Sequence, residues 1–95
     1  MGYLLELGFS QEEISNIEQT MNKDHVEMIM TFPKIVKINY ELLKDLDIKN
    51  IKDVFIGHSQ MFVINPDRFK GIFAKYDKAD LVRCIEKNAA VIEKL

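Results

Sequence analysis

Apolar side chains recur at helical spacing along almost the whole chain, in short sets divided by polar joints. Ile14, Ile17 and Met21 share a face, as do Val26, Ile29 and Met30, and then Leu42, Leu43 and Leu46. Ile51, Val54 and Phe55 repeat the spacing, followed by Phe69, Ile72, Phe73 and Tyr76, and finally by Leu81, Cys84 and Ile85. The spacing predicts helices over 3–8, 10–21, 24–32, 39–47, 50–57, 65–76 and 79–88, with a short closing helix from 89. Cap residues reinforce several starts. Ser10-Gln11-Glu12-Glu13 has the form of a reciprocal capping box, and Asp24-His25-Val26-Glu27 has a similar form. Asn65-Pro66-Asp67 offers a cap, then proline in the first turn, then an acid that the helix dipole favours. Asn39, Asn50 and Asp77 or Asp80 are further cap candidates. Pro33 must end one helix or open the next, and Gly57 ends the helix that begins near Asn50. Lys34–Ile38 and Ser59–Ile64 alternate as strands do, but helix signals flank both, so tight 3₁₀ or extended connectors are expected.

The joints resemble one another. Leu7-Gly8-Phe9-Ser10 leads into Ile14, Leu46-Asp47-Ile48-Lys49 into Ile51, and Tyr76-Asp77-Lys78-Ala79 into Leu81. Apolar pairs follow at comparable places: Ile35-Val36, Met61-Phe62 and Val91-Ile92. Self-similarity of this kind predicts an all-α fold, one compact domain over residues 1–95 built of about seven short helices in successive hairpins, with a repeat-like character.

Composition agrees with an ordinary globular chain, at 47% hydrophobic and 29% charged residues. A domain this small buries only about two thirds of its unfolded surface, so modest stability is expected. No run of ~18 apolar residues offers a membrane span. The N-terminus lacks the basic start of a signal peptide, and Glu6 stands where a myristoylation signal needs Ser or Thr. A single cysteine, Cys84, suits a reducing compartment, and a cytoplasmic location is expected. The net charge of −2 is unevenly spread. Residues 1–24 carry Glu6, Glu12, Glu13, Glu18 and Asp24 against Lys23, whereas residues 49–78 carry Lys49, Lys52, Arg68, Lys70, Lys75 and Lys78 against Asp53, Asp67 and Asp77.

Candidate chemistry is sparse. Gly57-His58-Ser59-Gln60-Met61 has the outline of a nucleophile elbow, but Met61 replaces the second glycine and no strand precedes it. His25, His58 and Cys84 are too scattered for a local metal-ligand pair. Cys84 reads as a small core residue, and Glu12 and Glu13 as capping acids. The four glycines form no phosphate loop. The expectation is a chain without catalytic residues, cofactor or metal. A helix-turn-helix reader would use Asp24–Met30 as its recognition helix, where Asp24 and Glu27 would face phosphates unfavourably.

Leu4 to Ile17 reads Leu-x-x-Leu-Gly-Phe-Ser-x-x-x-Ile-x-x-Ile, which resembles the helical repeat of the mitochondrial transcription termination factor (mTERF) family. Ile29-Met30-Thr31-Phe32-Pro33-Lys34-Ile35-Val36 resembles the same repeat, in which a helix ends at proline before an apolar pair. His58-Ser59-Gln60 and Asn88-Ala89-Ala90 lack that proline, and the copies recur at a shorter interval. The resemblance implies a curved helical stack that binds nucleic acid through a basic face, for which Lys49, Lys52, Arg68, Lys70 and Lys75 are the candidate residues. With only Arg68 and Arg83 as arginines and an acidic N-terminal segment, such contact is expected to be weak and sequence-independent. The residues themselves favour a non-enzymatic binding or adaptor module whose partner is another protein, its apolar pairs and methionines supplying an adaptable surface.

Overall fold

A computed structural model describes residues 1–95 and contains helices and turns without a strand. The first element is a 3₁₀ turn, Gly2–Leu7. Then come α1 (Gln11–Thr20), α2 (Lys23–Thr31), α3 (Pro33–Asp45) and α4 (Ile51–Gly57). A second 3₁₀ turn, Ser59–Val63, precedes α5 (Pro66–Ala74) and α6 (Lys78–Lys87), and a third, Ala89–Lys94, closes the chain. The all-α class is therefore as the spacing predicts. No helix is long and apolar enough to cross a membrane.

Local chemistry explains most boundaries. Ser10 accepts from the Glu13 backbone N–H at 3.1 Å while Glu13 accepts from the Ser10 N–H at 2.9 Å, completing the capping box. Asn65 caps α5 and Asp77 caps α6. Gly8 takes φ 102°, a left-handed conformation that a side chain resists, and so turns the chain out of the first 3₁₀ element. Two expected caps are elsewhere. Asn22, not Asp24, caps α2, accepting from the Asp24 N–H. Asn50 precedes α4 but its amide instead donates to the Ile85 carbonyl at 3.1 Å.

The largest departure lies at α3. Pro33 opens this helix, since the first turn needs no N–H from it, so 34–38 is helical and no connector. Asn39 then falls in mid-helix, not at a cap. It is fully buried, and its Nδ2 donates to the carbonyls of Phe62 at 2.9 Å and Ile64 at 2.7 Å. This amide stitches α3 to the second 3₁₀ turn. Packing makes α3 the hub, since the first turn, α2, α4, the second turn and α5 all lie against it.

The core is continuous, from Leu4 and Phe9 through Tyr40, Phe55 and Phe62 to Phe69, Ile85 and Ile92. Phe9, Tyr40, Phe55 and Phe62 form a ring cluster with centroid separations of 5.0–6.1 Å, extended by Phe69 and Phe73. Burial pushes the Tyr40 phenol up to about 12, and the negative charge of Glu13 adds to the effect. Burial likewise raises the Tyr3 phenol, whose hydroxyl donates to the Ile29 carbonyl at 2.7 Å. In each apolar pair the second member is fully buried: Val36, Phe62 and Ile92. The first of these sits on an α-helix and the other two on 3₁₀ turns, so the likeness is one of local burial.

One residue read as core, Cys84, faces outward, and so does Met30 from the apolar face of α2. Cys84 is exposed, because the buried side of α6 runs through Leu81 and Ile85 and turns toward Val82, away from position 84. Met30 is 58% exposed, and Ile29 is the buried residue of α2.

Candidate functional site

The basic residues singled out in the sequence distribute among separate clefts. Lys49 lines a broad cleft of about 720 Å³ with Lys78 and Arg83 of α6. Arg68 and Lys75 line another, against Met61 and the C-terminal Leu95. Lys70 lies in a third, facing Phe73's side of α5. Lys52 belongs to none of these. Its ammonium is 3.0 Å from Glu13 and 5.3 Å above the Phe9 ring, so its charge is already engaged. Glu13 responds in kind: the Ser10 N–H, and then Lys52, hold its carboxyl below the ordinary carboxylate range. Lys37 is similarly committed, at 2.7 Å from Glu6, which raises its ammonium above the usual lysine range.

The groove holding Lys70 has an apolar floor, as does the Arg68–Lys75 cleft with Met61, Ile64, Ile72 and Leu95. Leu42 and Leu46 of the α3 end meet Phe73 and Ala74 of α5, enclosing about 310 Å³ of apolar trough. Leu42, Leu46 and Phe73 are half-buried, packed on the core from one side and open on the other. Asp45, Lys70 and Lys78 form its rim, and all are exposed. Neither lysine takes part in any ion pair of the molecule. The broad cleft adjoins it, sharing Leu46 and Lys78. There, Asp77 and Glu86 are spent on internal backbone groups, Asp77 capping α6 and Glu86 accepting from the Lys49 N–H at 2.8 Å. Lys70 and Lys78 beside the apolar floor, and Lys49 in the adjoining cleft, thus take part in no ion pair.

Leu42, Leu46 and Phe73 stand on apolar helix faces in the sequence, with nothing there to say that they line a groove. The signal available was width: apolar positions 69, 72 and 73 span more of α5 than one partner covers, and only Phe69 is fully buried.

Nothing resembling a nucleophile stands at Gly57–Met61. His58 Nδ1 bonds the Glu93 carboxylate, which also accepts from the Gln60 amide, tying the closing turn to the second 3₁₀ turn. Ser59 Oγ is buried without a hydrogen-bond partner, so no base activates it. No cluster of three His, Cys, Asp or Glu side chains could hold a metal ion.

Comparison with protein-family models, curated proteins and solved structures gives no match for this chain.

Proposed function

We propose that this protein is a non-enzymatic recognition module that docks a helical segment of a protein partner in the Leu42–Leu46–Phe73–Ala74 groove. The observation that carries this reading is the half-buried apolar trough with two unpaired lysines on its rim. An apolar floor supplies affinity by burial, and charges at the edge select orientation and partner. The matching ligand is an amphipathic helix bearing Leu or Met at successive turns and Asp or Glu beside them. A reducing, cytoplasmic setting suits the exposed Cys84 thiol.

The mTERF-like resemblance adds a nucleic-acid reading, but the arrangement lends it little. Four of its five candidate residues are divided among three clefts, and the fifth, Lys52, is held by Glu13.

The test is a titration with labelled amphipathic peptides of equal apolar content, one acid-flanked and one lysine-flanked. The acid-flanked peptide should bind about tenfold or more tightly, and Lys70→Glu/Lys78→Glu should invert the preference. Indifference to peptide charge refutes the reading. Duplex and single strands should bind no better than ~10⁻⁴ M at physiological salt. Sub-micromolar nucleic-acid binding lost in Lys52→Glu and Arg68→Glu would instead establish the other function.

A further inference from the structure

The molecule carries a surface whose chemistry is the converse of the groove. On α2, positions 23, 26, 27 and 30 share one face by helical spacing. Val26 and Met30 are its apolar members, and Met30 has the highest exposure among the exposed large hydrophobic side chains. Glu27, with Glu18 from α1, supplies two acids, and Lys23 one base. None of these three charges is in an ion pair. The groove presents the opposite balance, with Lys70 and Lys78 as two bases and Asp45 as one acid around Leu42, Leu46 and Phe73. The two surfaces are alike in carrying apolar side chains and opposite in charge balance, two acids and one base against two bases and one acid.

We propose that the occupant of the groove is α2 of a second copy of this chain, a deepening that rests on the docking function proposed above. Met30 and Val26 enter the trough between Leu42 and Phe73, Glu18 and Glu27 approach Lys70 and Lys78, and Lys23 approaches Asp45. Within one chain α2 packs on α1, α3 and the second 3₁₀ turn, while α5 packs on α3, so the two surfaces belong to different elements. The contact joins unlike surfaces and leaves a free groove at one end and a free α2 at the other. It therefore grows head to tail. A helix of nine residues covers less than a standard interface, so association is weak and concentration-dependent.

Sedimentation equilibrium on the full chain, from about 10 μM to about 1 mM, tests this. The weight-average mass should rise past twice the 11.1 kDa monomer at the upper end and fall back as salt is added. Met30→Asp and Lys70→Glu/Lys78→Glu, all at exposed positions, should each remain monomeric. Mixed together they should form a 1:1 dimer and nothing larger, because one donates an intact groove and the other an intact α2. A wild-type chain that stays monomeric while the acid-flanked peptide still binds overturns self-docking and leaves the groove with a foreign partner. Loss of both overturns the groove itself. Association that survives either variant, or a mixture that stays monomeric, also overturns the proposal.

Discussion

At the scale of single residues, Asn39 and Glu13 show how differently a side chain can be written into the sequence. Glu13 acts within three positions of Ser10, so its capping role is visible in four letters. Asn39 acts on carbonyls 23 and 25 positions away, and no local pattern announces that. Replacing it with alanine takes the donor from one buried and one part-buried carbonyl, which should cost about 1–3 kcal/mol in urea denaturation. Asn39→Asp should cost more, because a carboxylate would face the same two oxygens. An unchanged midpoint in either variant would contradict the bridging role. For Glu13 the sign follows from its depressed carboxyl. A group that ionises more readily when folded stabilises the fold above its unfolded range and loses that contribution as pH falls through its folded value. Glu13→Gln should therefore be destabilising at pH 7, with the difference from wild type fading below a pH of about 4. Parallel denaturation curves across pH check this, and a difference that grows in acid would refute it.

Among the elements, those whose boundaries rest on nearby caps were legible: α1, α5 and α6 begin beside Ser10, Asn65 and Asp77. Alpha-helix and 3₁₀ turn were harder to separate, because both bury residues three or four apart. The segment at 34–38 shows the limit. Its alternation looked strand-like, yet proline at the first position was compatible with a helix start, and packing of Val36, Asn39, Tyr40 and Leu43 chose the helix. The second 3₁₀ turn owes its place to Phe62, which contacts Tyr40, Phe55 and Phe69 at ring separations of 5.0–6.1 Å. Phe62→Ala should cost about 3–5 kcal/mol, a large share of what a small domain possesses, and calorimetry should show it as a lowered melting temperature. The groove was hidden for a related reason: helical spacing identifies an apolar face but not how much of it a neighbour covers.

In the whole molecule, a radius of gyration of 12.7 Å is near the ~12 Å of a compact chain of this length, so the charge division between residues 1–24 and 49–78 is carried on one small body. That division could be read from the sequence, whereas its consequence for docking depended on which lysines were already paired. The ring cluster has an optical consequence of its own. The chain has no tryptophan, and Tyr40 is the one fully buried tyrosine, set among three phenylalanine rings at fixed tilts. A chromophore held in so asymmetric a setting gives circular dichroism near 280 nm only while those tilts persist. Loss of that band with the helical signal intact would mark a loosened core, so the protein carries its own spectroscopic gauge of packing at the hub.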